Sequence, residues 1–339
     1  MKVTIKDIAR EAEVSVAAVS LVLNQKECRI AEETKKRIIG IAKKYNYTVN
    51  HQARSLVTKK SHVIGLIIPD IENIFFSALS KRVEEYCREK EYALMIVNSD
   101  DNPQKDIELL HLLFSRGVDG ILYTPSMGSD EDYKKIKKYL KKFPIPYVMV
   151  DRHLDGLACN KVYIDNMDGS LQAVSMLVKS GHTKIGCIGN AVLTSITNSR
   201  VNGYREAMKQ FNLPVDEEYI YDGKYKVLGG YNAGKEIVKS DLTAVYICND
   251  MMTLGFLKYL SECGKSVPED YSIVSYDNTL QNLVVSPHLT TIDQDLGKLA
   301  RNACRLLFKN IQNENVEPEV ICLYPQLLIN DSVKVMKNK

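Results

Sequence analysis

The sequence lacks any Cys-x-x-Cys pair; its eight cysteines are scattered at positions 28, 87, 159, 187, 248, 263, 304 and 322. That spacing excludes a local zinc knuckle or a dithiol redox motif. Most of the eight sit inside apolar patterns, as small buried hydrophobes do in a reducing compartment. No metal site and no cofactor are expected. Long apolar runs are also missing: the longest, such as Val63–Ile68, have the length of a core strand and fall far short of a membrane span. Met1-Lys2 is followed by alternating charges rather than an apolar stretch, so no secretory leader is expected and the chain reads as a cytoplasmic protein. Catalytic signatures are absent as well, with no Gly-x-Ser-x-Gly elbow, P-loop, His-Glu-x-x-His or Gly-x-Gly-x-x-Gly. The six histidines (51, 62, 111, 153, 182, 288) have no obvious nucleophile beside them, and His182, after Ser180-Gly181, reads as a turn residue. An enzyme is not expected.

What is present is concentrated at the start. Residues 1–60 hold thirteen Lys or Arg and six Asp or Glu, a net +7. The whole chain has 45 basic and 42 acidic residues, so residues 61–339 carry 32 and 36, a net −4. A basic head before an acidic body is the electrostatic footprint of a polyanion binder. Within the head, Ile5, Ile8, Ala9 and Ala12 make one helical face, with Thr4 as N-cap and Asp7 as a short capping-box acid. Ser15 caps a second pattern whose Val19, Val22 and Leu23 point back at the first. A third, from Glu32 to about Tyr45, adds Ile38, Ile39, Ile41 and Ala42. One face of Val16–Leu23 is left free, the geometry of a helix-turn-helix reader; a three-helix cap without a ligand is the plainer alternative.

After Tyr47 the periodicity fades. Residues 48–61 are polar and basic, a linker in which Asn50–Leu56 is too short to be a stable helix alone in water. From His62 the pattern alternates between strands (Val63–Ile68, Ala93–Asn98, Gly120–Thr124, Tyr147–Val150, Val162–Asp165, Lys184–Gly189, Tyr219–Tyr221, Ala244–Asn249, Ser272–Asp277) and helices such as Phe76–Lys90, Gln104–Arg116, Asp168–Ser180, Arg200–Phe211 and Met251–Gly264. Near-continuous Val/Ile/Leu strands between amphipathic helices mean parallel sheets covered on both faces. That many units exceed one lobe, and Gly156–Lys161 is the natural crossing between two. Polar residues cluster just after the strands, where open α/β sheets bind ligands: Asp70, Ser99-Asp100, Pro125-Ser126, Asp151-Arg152, Asn190, Asp222, Asn249-Asp250 and Asp277-Asn278.

Four stretches in this order resemble the lactose-repressor (LacI/GalR) family of bacterial transcription regulators: Thr4–Asn24, Asn50–Leu56, Ile64–Phe76 and Pro287–Gln294. The resemblance implies an α/β two-lobed, periplasmic-binding-protein-like core of parallel sheets flanked by helices, preceded by an all-α helix-turn-helix head. It divides the chain into a head (1–47), a hinge segment (48–61) and an effector-binding and dimerisation core (62–339). Lobe one takes about 62–158 plus 293–322, and lobe two about 161–289 plus 324–332. In the hinge, two copies of Asn50–Leu56 would fold on DNA, with Asn50, Ala53 and Arg54 at the groove and Leu56 wedged into it. Val49 stands where the family usually has Pro, which raises the entropy cost of that folding.

Matched position by position, the resemblance assigns ligand contacts to Arg200, in Arg-x-x-Gly-aromatic; to Asn249, in Asn-Asp-x-Met-x-x-Gly; and to Asp277, Asp151, Gln294 and Tyr225, with Asp70, Phe75 and Phe76 on the first lobe. An arginine, carboxylates and an aromatic face suit a polyol, so a sugar or sugar phosphate is favoured over a purine corepressor. Ser275 replaces the usual Gly before the aromatic-Asp pair, which would tighten the approach to the ligand. In the reading helix Ala18 stands where Thr is common, and Leu21 stands where many members have Arg. Val16, Ala17, Ser20 and Leu21 therefore suit thymine methyls better than guanine, while Lys6, Ser15 and Asn24 take phosphates. Leu21 as a core residue is the alternative.

The expected partners are double-stranded DNA bearing a near-palindromic operator, a small carbohydrate effector and a second copy of the chain. A membrane is not expected. Some family members take a phosphorylated carrier protein on the lobe surface, and that alternative stays open, as does an activator in place of a repressor. A solute-binding protein for transport would explain the lobes and not the basic head.

Overall fold

The structure is a computed structural model, and it describes residues 3–23, 28–47, 60–190, 199–280, 286–312 and 317–336. The chain forms two compact units, Met1–Ser61 and His62–Lys339.

Among the described residues the first unit holds three helices, α1 (Ile5–Glu11), α2 (Val16–Leu23) and α3 (Glu32–Lys44). Its core is Ile8, Ala9, Ala12, Val19, Val22, Ile38 and Ala42. At the start of α1 the Asp7 carboxylate accepts from both the Thr4 backbone N–H (3.0 Å) and the Thr4 hydroxyl (2.6 Å), which supplies the missing first-turn partner. Ser15 opens α2 by accepting from the Ala18 N–H at 3.1 Å. Helix α3 starts on Glu32-Glu33 and ends on Lys43-Lys44, in keeping with its dipole, and Lys44 pairs with Glu11 of α1 at 2.8 Å. Ile39 departs from the expected core set: it is exposed, because the α3 face carrying Ile38 and Ala42 already fills the space against α1 and α2.

The second unit has two six-stranded sheets. The first lobe runs β1 (Val63–Ile68), α4 (Ile74–Glu89), β2 (Ala93–Asn98), α5 (Pro103–Ser115), β3 (Gly120–Tyr123), α6 (Asp130–Leu140), β4 (Tyr147–Val150) and β5 (Asn160–Ile164). The second runs α7 (Asn166–Lys179), β6 (Ile185–Gly189), α8 (Ser199–Gln210), β7 (Ile220–Asp222), α9 (Val227–Ile237), β8 (Ala244–Ile247), α10 (Asp250–Glu262), β9 (Ser272–Asp277) and β10 (Thr290–Asp293). The chain returns to the first lobe with α11 (Leu296–Gln312) and β11 (Val320–Leu323), then ends in the second with β12 (Gln326–Leu328). The sheet orders are β11-β5-β4-β3-β1-β2 and β12-β10-β9-β8-β6-β7. Every pairing is parallel except β10 with β12.

These pairings correct two expected boundaries. The first crossing lies after Ile164 rather than in Gly156–Lys161, because β5 adds to the first sheet between β4 and β11. The return lies after β10, which stays in the second sheet, so residues 294–295 make the crossing. Apolar clusters cover both faces of the first sheet. One side is closed by α4 and α11 through Leu79, Val83, Leu299, Ala303 and Leu307; the other by α5 and α6 through Leu110, Leu113, Tyr133 and Ile136. Strands buried on both faces need no polar alternation, which is why they read as continuous Val/Ile/Leu runs. The edge strands β2 and β11 are exceptions, with Ile96 and Val320 exposed.

Candidate functional site

In the first unit α2 turns Val19 and Val22 inward and leaves Val16 (40 % exposed), Ala17 and Leu21 (36 % exposed) at the surface. Leu21 is therefore a surface residue, and its reading as a core residue is set aside. Ser20 is half-buried on the same helix; Lys6 and Ser15 are exposed. Of the other expected DNA contacts, Asn24, Asn50, Ala53, Arg54 and Leu56 lie outside the described residues.

In the second unit a cavity of about 300 Å³ opens beyond the carboxyl ends of both sheets. Seven of the nine expected ligand residues line it: Phe75, Phe76, Asp151, Arg200, Tyr225, Asn249 and Asp277. Each is delivered by an element end. Asn73 caps α4, accepting from the Phe75 N–H at 3.1 Å, which aims Phe75 and Phe76 inward as an edge-to-face pair 5.1 Å apart. Asp151 and Arg152 follow β4, Asp277 ends β9, and Arg200 lies in the first turn of α8. Asn249 caps α10, taking the Met252 N–H on Oδ1 at 2.9 Å. Tyr225 comes from a tight loop in which Lys224 (φ 50°) and Tyr225 (φ 55°) are both left-handed.

Arg200 and Asp277 form the polar centre. The Arg200 guanidinium donates from Nε to Asn166 Oδ1 (2.8 Å) and from Nη1 to the Cys248 carbonyl (2.6 Å) and Asp277 Oδ1 (3.0 Å), and it lies 3.8 Å over the Tyr276 ring. Gln294 donates to the same Oδ1 at 2.6 Å, whereas among the described residues Oδ2 of Asp277 has only the Asp250 N–H, at 3.5 Å. One carboxylate oxygen is thus committed to the protein and the other is largely left for a ligand. Burial pushes the Asp277 carboxyl up to about 7; the Arg200 charge opposes that shift, and the Asp250 and Asp151 carboxylates add to it. Asp151 is pushed up too, by burial, with Arg152 and Arg200 restraining it.

Two expected contacts stand back from the cavity. Gln294 is buried at the return crossing and acts through Asp277, with its Oε1 unpartnered. Asp70 sits at the rim, where it pairs with Lys226 of the opposite lobe. Ser275 does not tighten the approach to the ligand: it is fully buried, donates to Asp250 at 2.8 Å and is hydrogen-bonded to the Thr253 hydroxyl at 2.7 Å, so it props Asp250 from behind. Sequence reasoning missed Asn73, His153, Tyr163, Asn166 and Cys322 as wall residues, and it saw Arg152 only as a strand-end polar group. Arg152 lies 5.6 Å from the Phe76 ring centre and is fixed by Asp101 (2.7 Å) and the Pro125 carbonyl (3.3 Å).

A head with an exposed reading helix and a two-lobed core closing on a polar cavity have direct counterparts. Residues 4–50 match the model of bacterial regulatory proteins of the lacI family, and residues 174–333 match a periplasmic binding protein-like domain. Catabolite control protein A of Priestia megaterium is 32% identical over 337 residues, covering 98% of this chain and 100% of that one. The chain belongs to the LacI family. The transcriptional repressor PurR of Mannheimia succiniciproducens is 33% identical, with 98% of each chain covered. A LacI-family regulator from Enterococcus faecium solved with bound ribose superposes with a TM-score of 0.73 at 30% identity, covering 81% of this chain and all of that one. The lac repressor dimer bound to operator has the same fold, with a TM-score of 0.84 at 23% identity over 98% of this chain and all of that one. The chain is accordingly a DNA-binding transcriptional regulator. Among the described residues no helix is long and apolar enough to cross a membrane.

Proposed function

We propose that this LacI-family protein is a repressor whose operator affinity is set by a monosaccharide, an aldopentose such as ribose, held between the lobes. The observation that carries this reading is the convergence of Arg200, Asp277, Asn249, Asp151 and Arg152 with Phe75, Phe76 and Tyr225 on one cavity of about 300 Å³. That volume is at the small end for ligand sites, and the mixture of charged hydrogen-bonding groups and ring faces matches a polyol with an apolar ring side. A LacI-family relative at 30% identity was solved with ribose bound, which supports the same class here. The exposed edge of β2, with Ile96 on the strand and Ile71 just beyond β1, offers the apolar strip a homodimer would cover, and two heads then read two half-sites. Ligand and DNA are coupled reciprocally, typically by about 1–3 kcal/mol.

The test is selection of DNA from a random pool by the full-length protein at several salt concentrations, followed by titration with ribose, hexoses, sugar phosphates and purines. An A·T-leaning near-palindrome with a steep salt slope, weakened or strengthened by a pentose, is the expected result. Enrichment of guanine opposite Leu21 would remove the half-site reading. A response to purines alone would replace the sugar by a purine corepressor.

A further inference from the structure

The body of the protein is acidic overall, yet one stretch of it is not. Between Tyr133 and Tyr147 there are six lysines and no Asp or Glu. The stretch runs from the middle of α6 to the start of β4, and on that side of the first lobe α6 and α5 border an open groove of about 480 Å³. Its floor is apolar: Ile107 and Phe114 from α5, then Tyr139 and Phe143, with Phe114 42 % exposed. Phe143 packs edge-on against Phe114 at 6.2 Å and lies 5.6 Å from Tyr139, so the rings already rest on one another. Lys135, Lys138 and Lys142 stand on the rim, and no carboxylate lines the groove among the described residues. Lys135 pairs with Glu131 at 3.0 Å, whereas Lys138 and Lys142 have no ion-pair partner among the described residues.

A solvated cationic face explains the lysines alone, and a stray surface phenylalanine explains Phe114 alone. The two together define a pattern: an apolar slot with unpaired positive charges at its mouth. Exposed aromatic surface with a polar rim is the composition of a protein-binding site, and the missing counter-charges select the partner. We propose that this groove docks an acidic amphipathic segment of another protein, with leucine or phenylalanine anchors on the Phe114–Phe143 floor and carboxylates against Lys138 and Lys142. The site lies on the α5–α6 side of the first lobe and shares no lining residue with the ligand cavity. It gives the regulator a second input or output that is independent of the sugar.

The proposal is tested on the full-length protein with a fluorescein-labelled peptide carrying leucines at helical spacing and glutamates on its flanks. Two controls replace the glutamates by lysines or the leucines by serines. The expected result is saturable binding of the glutamate–leucine peptide alone, weakening as salt rises. It should fall about tenfold in a Lys138→Glu/Lys142→Glu variant and also in Phe114→Ser. Operator binding and the ribose response should stay at wild-type values in both variants, which shows that they fold. The two charge reversals are on exposed side chains, so they keep the test decisive should Phe114→Ser misfold. Equal binding of the lysine peptide, or unchanged binding by the double variant, overturns the proposal. So does self-association of the wild type that Phe114→Ser abolishes, because the groove would then seat a second copy. Loss of the ribose response leaves this result untouched, since the peptide readout does not pass through the cavity.

Discussion

Asp277 concentrates the chemistry of the cavity in one carboxylate. A sugar hydroxyl donates a stronger hydrogen bond to the ionised carboxylate than to the neutral acid, so a bound sugar favours the ionised form and lowers its pKa. With burial holding the free group at about 7, affinity is flat above that pH. It falls as pH drops through it, by up to about tenfold per unit. Calorimetric titration of ribose between about pH 8 and pH 6 should show this slope, and Asp277→Asn should bind weakly with none. A slope that survives in the variant would place the titration elsewhere. Arg200 is the counter-charge. Its loss in Arg200→Ala leaves a buried carboxylate uncompensated, which typically costs about 3–5 kcal/mol. Asp277 can escape part of that cost by keeping a proton. The folded form then binds a proton that the unfolded form releases, so the variant's stability must decline as pH rises. Urea denaturation should therefore show a larger deficit at about pH 8 than at about pH 6. Arg200→Lys restores the charge but not the planar fork that reaches Asn166, Cys248 and Asp277 together.

At the scale of elements, the second lobe depends on two helices whose backbones touch. A Cβ on Gly255 of α10 would lie 1.8 Å from the Val227 carbonyl oxygen, and one on Gly230 of α9 would lie 1.9 Å from that of Met252. No rotamer relieves a clash with backbone. Gly255→Ala should destabilise the protein by about 3 kcal/mol and weaken ribose binding, because α9 follows the Tyr225 loop and α10 is capped by Asn249. Denaturation and calorimetry on the same variant would separate this from a purely local strain, which would leave binding intact. The glycines were visible in the sequence, but a tight crossing was not, since spacing along one helix carries no information about its neighbour. The same limit explains the other gaps. Val63–Ile68 and Tyr147–Val150 were legible to the residue because uninterrupted apolar runs between polar turns define a doubly covered strand. Strand β5 was placed one lobe too late, since Asn160-Lys161 looks like loop until Asn160 is seen accepting from the Glu319 N–H at 2.7 Å and Lys161 donating to the Leu154 carbonyl at 2.9 Å. Tyr163 and Cys322 reach the cavity only through the pairing of β5 with β11, a contact between residues far apart in sequence.

At the scale of the whole core, the lobes are joined by the three crossings and by the Asp70–Lys226 pair across the mouth of the cavity. Lys226 directly follows Tyr225, so the residue that lines the cavity and the residue that spans its mouth belong to one short loop. An exposed ion pair contributes about 0.2–1 kcal/mol. Lys226→Ala should therefore lower ribose affinity by about 1.5–5-fold and remove part of its salt dependence. Calorimetry at low and high salt checks this, and an unchanged affinity would mean that the pair only decorates the rim.

The interlaced chain also dictates an order of assembly on the ribosome. The buried side of the first lobe is completed by Leu299, Ala303, Leu307 and Phe308 of α11, and its sheet ends with β11 beside β5. The head can fold as soon as it leaves the exit tunnel. The lobe that follows it in sequence has to wait, with one face of its strands uncovered, until Leu296–Gln312 and Val320–Leu323 are made. A message broken before those segments would thus spoil the first lobe as well as the second, and the nascent chain has reason to need chaperone cover until they emerge.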